Sequence, residues 1–369
     1  MTSRRDFLKT MGGATAGTYL MVHGPHAAAQ SRRKVVRING ERVRTVDIHA
    51  HCVFREVEDL IRGTNLEGAR AFPDWYLLGA HRIEALDGRG IDIAALSVNL
   101  YWWYGADYDL ASRIVRLHDE KLAEWCNTYP DRFVALTSVA LQYPDLAAEQ
   151  LDYAVTELGH RGASIGGTVL GEAPSLGKYD SFWAKAEELG VPVFMHPSDA
   201  VYLLREGGLP AVGNQGNIVG NPLETTVFLT NMILNGTLDR FPGLRVVGAH
   251  GGGYLPSYIG RTNTACQTEI DPEPGYLEAA CSCVAICANR KQPSDYLKDQ
   301  ILVDSMVFSS QGLRHLVTVM GANQVVYGSD QPFAWPDTMG LIADASFLSD
   351  TDKQAILGGN LIELLQIDQ

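Results

Sequence analysis

The chain has 369 residues, of which 46% are hydrophobic and 20% are charged, a composition typical of a globular protein with a large core. Its formal net charge of -13, with no basic stripe along the sequence, argues against a nucleic-acid partner. An anionic small molecule is not excluded, because a metal ion and a few arginines can dominate the field inside one pocket.

The first 29 residues are typical of an export signal. Arg4 and Arg5 precede a short apolar run at 11–22, and three alanines stand before Gln30. These features predict a twin-arginine signal peptide over residues 1–29 and a periplasmic or secreted mature protein. An N-terminal membrane anchor is the alternative, but the apolar run is short and broken by glycines. We expect no membrane association once the signal is removed.

From residue 30 onward, short β-branched apolar runs alternate with segments of helical periodicity, a pattern typical of a parallel sheet. The predicted strands are 45–52, 93–99, 133–141, 162–167, 192–197, 245–250, 301–308 and 325–332. The clearest predicted helices are 109–129, 145–158, 181–189 and 222–234, with N-caps at Asp145 and Ser181 and C-terminal stops at Gly159 and Gly190. Eight strand–helix units without a dividing linker predict a (β/α)8 TIM barrel as a single domain over residues 30–369.

Three segments depart from this alternation. Residues 53–80 and 198–221 are polar, glycine-rich and aromatic, and they follow the first and fifth predicted strands. They are therefore expected to form long loops over the mouth of the barrel, where substrate binding is usually shaped. Residues 264–298 are expected to be a packing or oligomerisation element.

The first predicted strand ends in Val46-Asp47-Ile48-His49-Ala50-His51. Residues i and i+2 of a strand share a face, so both imidazoles are expected to enter one side of the barrel. Two histidines in an apolar interior are costly unless something binds them. Two structural histidines that hydrogen-bond each other are the alternative when this motif is taken alone.

The motif does not stand alone, because other predicted strands also end in polar residues. His196, His250 and Asp330 close the fifth, sixth and eighth strands, at the end of the barrel where active sites are built. Together with His49 and His51, they form a nitrogen-rich group suited to Zn²⁺.

The six cysteines give a weaker signal. Cys52, Cys126 and Cys266 are scattered, whereas Cys281, Cys283 and Cys287 are crowded but lack the paired spacing of structural zinc sites. Disulfides are open to an exported protein, but adjacent C-x-C pairs bridge poorly. We expect the crowded cysteines to be small buried residues on a helix.

The sequence resembles the amidohydrolase superfamily (amidohydrolase-2 type), in the branch of aminocarboxymuconate-semialdehyde decarboxylase and related aromatic-acid decarboxylases. The resemblance covers nearly all of the mature chain. Its motifs are V-D-I-H-A-H at 46–51, R-I-E-A-L-D-G-R-G-I-D at 82–92, F-M-H-P at 194–197, N-P-L-E-T-T at 221–226, A-H-G-G-G at 249–253, Y-G-S-D-Q-P-F at 327–333 and G-N at 359–360.

The resemblance implies one Zn²⁺ per subunit, or alternatively Mn²⁺, held by His49, His51, His196 and Asp330 with water completing the shell. It also implies that His250 is the unliganded acid/base, acting beside the ligand Asp330. The fourth predicted strand lacks a lysine that could be carbamylated, so a mononuclear site is expected. The glycines after His250 let the backbone pass close to a substrate, or simply form a tight loop.

The resemblance further implies a small carboxylate substrate and a homodimer or higher homo-oligomer. An arginine in this branch reaches the neighbouring subunit's site, and its spacing falls on Arg261, for which a surface or interface ion pair is an equal alternative. Arg70 is the best match, ahead of Arg55 and Arg62, for a second substrate arginine.

The aromatic contacts of the family are altered here. Its decarboxylases carry a tryptophan where this chain has Ser198. Trp102, within the aromatic run 101–104, and Phe333 are expected to line the substrate instead, although the run could be packing alone.

Three functions follow from this set of residues. The leading prediction is a metal-dependent decarboxylase (carboxy-lyase) acting on an aromatic or conjugated unsaturated carboxylic acid through a zinc-activated water and His250. The alternative is a hydrolase or hydratase of the same superfamily, acting on a lactone, an amide or a dienoic acid. A binding protein that has lost activity is disfavoured by the intact His250.

Overall fold

Eight short parallel strands form the centre of the structure. The computed structural model describes residues 33–68, 73–98, 102–198, 200–203, 209, 212–266 and 287–368. The barrel strands are β1 (Val46–His51), β2 (Ile93–Ser97), β3 (Phe133–Ala135), β4 (Ala163–Gly166), β5 (Val193–His196), β6 (Val246–Gly248), β7 (Ile301–Asp304) and β8 (Val325–Val326).

The strands close into a barrel. β1 to β3 pair in parallel as one ladder, and β4 to β8 as another. Single parallel bridges join the ladders at both seams, Thr137 with Ala163 and Ala50 with Gln331. The predicted TIM-barrel fold is therefore confirmed.

The helices surround the sheet. They are α1 (Val57–Ile61), α2 (Ala80–Arg89), α3 (Tyr108–Thr128), α4 (Pro144–Thr156), α5 (Asp180–Leu189), α6 (Asn221–Leu234), α7 (Thr237–Arg240), α8 (Leu255–Ala265), α9 (Pro293–Asp299), α10 (Ser310–Met320), α11 (Met339–Ala343), α12 (Asp350–Gln354) and α13 (Asn360–Leu364). Shorter helical turns include Asp74–Tyr76, Gly216–Gly220 and His250–Gly252. A two-stranded hairpin, Arg37–Ile38 with Glu41–Arg42, precedes the barrel.

The predicted helix ends were partly wrong. α4 and α5 begin before Asp145 and Ser181, so these residues lie in the first turns instead of capping them. Pro144 starts α4, a position where proline costs no hydrogen bond because the first amides of a helix are unpaired anyway. Gly190 does end α5, in the left-handed conformation that glycine tolerates best.

The interior of the barrel is apolar at one end and polar at the other. Side chains from the strands form a buried inner cluster that includes Ile48, Ala95, Phe194 and Val247. Leu361 of α13 joins this cluster and closes the end formed by the amino ends of the strands. The buried polar side chains of the interior lie at the opposite end, formed by the carboxyl ends of the strands.

All eight barrel strands end before their predicted limits, and beyond two of them the backbone turns into the left-handed region. His250 and Asp330 have φ values of 55° and 56°, in the left-handed region that non-glycine residues seldom adopt. Neither residue continues its strand ladder, and both lie in turns just beyond β6 and β8.

The chain from Arg33 onward forms one compact unit. The predicted signal peptide at 1–29 lies outside the described residues, so its boundary stays a prediction. Within the described ranges, no helix combines the length and the apolar character needed to cross a bilayer.

Candidate metal centre

β1 presents two histidines side by side. His49 and His51 are fully buried, and their ring centroids lie 5.1 Å apart. The pairing of β1 with β2 shifts register between Asp47 and Ala50, and the Asp47 carboxylate accepts the His49 amide at 2.9 Å. The carboxylate thus supports the backbone where the regular ladder is interrupted.

His196 completes the group from across the barrel, and Asp330 from the segment after β8, next to β1. The His196 ring lies 4.9 Å from that of His49 and 4.6 Å from that of His51. Asp330 Oδ1 lies 2.6 Å from His51 Nε2 and 3.1 Å from His49 Nε2. One ligand atom from each of the four residues lies within 4.8 Å of the others, so the structure brings together the predicted ligand set.

The chemistry of this group fits a divalent metal ion. Three imidazoles and one carboxylate are a donor set typical of Zn²⁺ and related transition metals. His49 Nδ1 pairs with Asp304 at 2.8 Å, which leaves Nε2 as the ring's ligand atom. Nε2 is buried and makes no hydrogen bond within the described part of the chain, although it faces Asp330.

The electrostatics of the group also favour a cation. Burial alone would lower the pKa of His49. The nearby Asp330 and Asp304 carboxylates outweigh this effect and raise the pKa to about 10. Burial raises the pKa of Asp330, but His49 and His51 lower it well below its ordinary value. Positive charge is therefore stabilised between these groups, and a divalent ion would supply it in place of a proton.

His250 lies beside the four-residue group without belonging to it. Its ring centroid is 5.2 Å from His49 and 5.3 Å from His196. Removal from water, and then the charge of His49, lower the pKa of His250 to about 4, so the imidazole is neutral at physiological pH. Its Nδ1 is buried and makes no hydrogen bond with any described residue. This placement agrees with the predicted acid/base, a role that stays a prediction.

Asp304, at the end of β7, was missed in the sequence. It is fully buried and contacts both His49 and the turn that carries His250. The signal was present, since Asp304 ends the run I-L-V-D just as His196 and Asp330 end theirs. A carboxylate that orients a metal-bound histidine is a usual partner of such sites.

An aromatic wall stands beside His51. The Phe333 ring lies edge-on to His51 at 5.6 Å and contacts Tyr76 at 5.4 Å and Trp75 at 5.8 Å. Trp75 is 44% exposed and belongs to the long loop after β1. Phe333 was predicted to lie at the site, whereas the contributions of Trp75 and Tyr76 were missed.

Trp102 lies over β4, on the opposite side of the site from Phe333. Gly166 faces the barrel interior, because its neighbour Ile165 packs in the outer core. A Cβ at Gly166 would lie 2.8 Å from the Trp102 ring, so only glycine leaves room for it. Gly166 pairs in register with His196, and Trp102 donates a hydrogen bond to Ser198 at 3.2 Å. The structure therefore brings Trp102 to the level of the ligands.

The predicted substrate arginines are not seen at this site. Arg261 is exposed on α8, without an ion pair among the described residues. Arg70 lies outside the described residues. Arg55 and Arg62 are exposed and form ion pairs with Asp74 and Asp59, respectively.

One cysteine prediction is corrected. Cys287 forms a disulfide with Cys266 across a sequence separation of 21 residues, with Cα atoms 5.9 Å apart. This Cα separation is well suited to a disulfide and cannot be read from spacing alone. Cys281 and Cys283 lie outside the described residues, whereas Cys52 and Cys126 are free.

A parallel eight-stranded barrel with three histidines and a carboxylate at the carboxyl ends of its strands defines a metal-dependent barrel enzyme. The chain belongs to the amidohydrolase family, since the family model Amidohydro_2, described as amidohydrolase, matches residues 46–367. This confirms the family predicted from the motifs.

Three similar proteins are decarboxylases. The 2-amino-3-carboxymuconate-6-semialdehyde decarboxylase of Dictyostelium discoideum is 31% identical over 78% of this chain and 76% of its own length. The gamma-resorcylate decarboxylase of Rhodococcus jostii (strain RHA1) is 29% identical over 78% of this chain and 87% of its own. A dihydroxybenzoic acid decarboxylase of Polaromonas sp. JS666, solved with manganese and the inhibitor 2-nitroresorcinol, has a TM-score of 0.71 and 23% identity, covering 88% of this chain and 97% of its own.

Proposed function

We propose that this enzyme is a metal-dependent carboxy-lyase that releases CO₂ from an aromatic or conjugated unsaturated carboxylic acid. The observation that carries the proposal is the placement of His250 beside a complete ligand set to which it does not belong. The similarity to decarboxylases over 78% of the chain supports the same reaction class.

His49, His51, His196 and Asp330 would hold the metal, with Asp330 also acting beside His250 in catalysis. When bound, the ion would supply a Lewis acid that polarises the substrate's oxygens or activates a water. We propose Zn²⁺ from the three-nitrogen donor set, with Mn²⁺ as the alternative supported by the manganese-bound relative.

His250 would take a proton from water and deliver it to the carbon that carries the carboxylate. The new C–H bond replaces the C–C bond, whose electron pair stays on the substrate while CO₂ leaves. The hydroxide formed when water gives up its proton combines with the released CO₂ as bicarbonate. His250 can perform this transfer because its lowered pKa keeps it neutral and able to accept the proton first.

The walls of the site favour a flat substrate. Phe333, Tyr76 and Trp75 stand on the β8 and β1 side, and Trp102 stands on the β4 side. Aromatic surfaces on two sides suit a planar conjugated ring or chain. Arg70 and Arg261 are proposed to bind the carboxylate, and the Arg261 contact would be made in a neighbouring subunit.

The surface around Arg261 supports a homodimer. Tyr258 is 62% exposed and Ile218 is 53% exposed. Tyr254 donates a hydrogen bond to the Val219 carbonyl at 3.3 Å, which links the turn Gly216–Gly220 to α8. Exposed apolar side chains near an arginine that forms no ion pair within the described part of the chain are suited to a partner subunit.

We also propose that the enzyme is exported through the twin-arginine signal at 1–29. The disulfide between Cys266 and Cys287 supports this location, because disulfides persist mainly in oxidising compartments.

The reaction is tested by supplying purified, metal-loaded enzyme with γ-resorcylate and with a conjugated dienoic acid, and measuring released CO₂ and the decarboxylated product. We expect CO₂ in stoichiometric amount with product, and none after the metal is removed with a chelator. Hydrolysis of a lactone or hydration of the dienoic acid, with no CO₂ from any acid, would overturn the proposal.

A further inference from the structure

Asp304 is placed to act on two parts of the site at once. Its carboxylate is fully buried at the end of β7, where Oδ2 accepts a hydrogen bond from His49 Nδ1 at 2.8 Å. The same oxygen accepts the His250 amide at 2.9 Å. Oδ1 accepts the amides of Gly251 at 2.8 Å and Met306 at 3.1 Å.

The contact with His49 fixes a metal ligand. With Nδ1 as donor, the imidazole keeps its Nε2 lone pair for the centre of the ligand group. A carboxylate partner also makes the ring a stronger donor, and removing such a partner usually weakens metal affinity 10- to 100-fold.

The contacts with His250 and Gly251 fix the turn that carries the proposed acid/base. His250 and Gly251 have φ values of 55° and 64°, so two consecutive residues are left-handed. Such a conformation persists at a non-glycine residue only when its surroundings hold it there. Two amides directed at a buried carboxylate supply that restraint.

We propose that Asp304 is a positioning residue that couples the metal ligand His49 to the His250 turn. One rigid carboxylate sets the direction of the His49 lone pair and the place of the His250 ring. Its effect on turnover rests on the proposed function, whereas its effects on metal affinity and on the turn do not.

Asp304→Asn is the sharpest variant for a test. It keeps the shape of the side chain but replaces one accepting oxygen with an NH₂ group. Each oxygen of Asp304 accepts two hydrogen bonds. In either orientation of the new amide, its NH₂ group takes the place of one oxygen, so two of the four hydrogen-bond donors then face another donor. Asp239→Asn is the matched control, because Asp239 accepts the Tyr296 hydroxyl at 2.6 Å and the Arg290 amide at 2.8 Å, outside the ligand group.

Two measurements do not depend on turnover. Competition with a chelator gives the affinity of each protein for Zn²⁺, and hydrogen exchange followed by mass spectrometry reports the amides around His250. For Asp304→Asn we expect 10- to 100-fold weaker Zn²⁺ binding and faster exchange in the peptide that contains His250 and Gly251. Asp239→Asn should match the wild type in both.

Turnover adds a third measurement. In Zn²⁺-saturated Asp304→Asn we expect kcat to fall with little change in KM, because the proton donor is displaced while the substrate walls are intact. If Asp304→Asn does not fold, Asp304→Glu, which retains the charge but moves both oxygens, takes its place.

The possible failures are distinct. Wild-type Zn²⁺ affinity or wild-type exchange in a folded Asp304 variant would overturn the coupling, whatever reaction the enzyme catalyses. Absence of CO₂ release by the wild type would overturn the proposed function and leave these two tests intact.

Discussion

At the scale of single residues, the site separates histidines that look alike in the sequence. His196 and His250 both follow apolar β-branched runs, and their rings are 5.3 Å apart. His196 belongs to the group of four ligand atoms, whereas His250 does not. The difference arises in the backbone, because His250 lies in a left-handed turn beyond β6 while His196 is still within β5.

This separation predicts different outcomes for two alanine variants. His250→Ala should retain its metal and lose at least about 100-fold in kcat, the usual contribution of a general acid or base. His196→Ala should lose both metal and turnover, because three ligands hold the ion less tightly. Metal content by mass spectrometry and steady-state rates measure both.

Equal metal content in the two variants, or equal loss, would contradict this division of roles. Circular dichroism should show that both variants fold, since neither histidine contributes to the apolar cluster inside the barrel.

At the scale of elements, the loops and turns beyond the strands decide the shape of the site. The loop after β1 supplies Trp75 and Tyr76, and the loop after β8 supplies Phe333. The loop after β5 carries Ser198, whose amide is held by the buried Glu224 carboxylate at 2.9 Å. These segments tolerate change because they lie outside the barrel ladder.

The disulfide gives an element-scale prediction about processing and location. Protein recovered from the periplasm should begin near Gln30 and show Cys266 and Cys287 in one disulfide-linked peptide, because oxidation there follows export. Intact-mass measurement and peptide mapping without reductant are the tests.

Cys126→Ser is the control, since Cys126 is free and its loss should leave the linked peptide unchanged. Mature protein that keeps Met1 in the cytoplasm, with both cysteines reduced, would contradict export.

At the scale of the whole molecule, the proposed role of Arg261 requires a second subunit to complete the site. Arg261 lies exposed on α8, one helical turn beyond the exposed Tyr258. If the arginine acts across a dimer, its loss from one subunit and the loss of His250 from the other fall in the same active site of a mixed dimer, which leaves the second site intact.

Mixing inactive Arg261→Ala and His250→Ala subunits should therefore restore activity. A mixed dimer has one site with both His250 and Arg261 and one site with neither. With random exchange, half of the dimers are mixed, so about one quarter of wild-type activity is expected. Each variant alone, treated in the same way, is the control. No recovery after subunit exchange, shown by mass spectrometry of the mixed dimer, would contradict a shared site.

The sequence by itself predicted the barrel and the group of polar residues at its mouth, and the family resemblance implied which four of them are ligands. The barrel and the group depend on local patterns, namely alternation of β-branched and helical segments and polar residues at the ends of strands. In a parallel barrel all strands end at one mouth, so His49, His196 and Asp330 meet there despite their distance along the chain.

Only the tertiary structure decided the rest of the site. The double contact of Asp304, the wall formed by Trp75 and Phe333, and the pairing of Cys266 with Cys287 each depend on distances between remote residues. Strand ends alone grouped His250 with the ligands; the resemblance implied its separate position, and the structure shows it in a left-handed turn with a φ angle of 55°. Strand periodicity carries neither kind of information, because it fixes which face a residue occupies but not what lies opposite it.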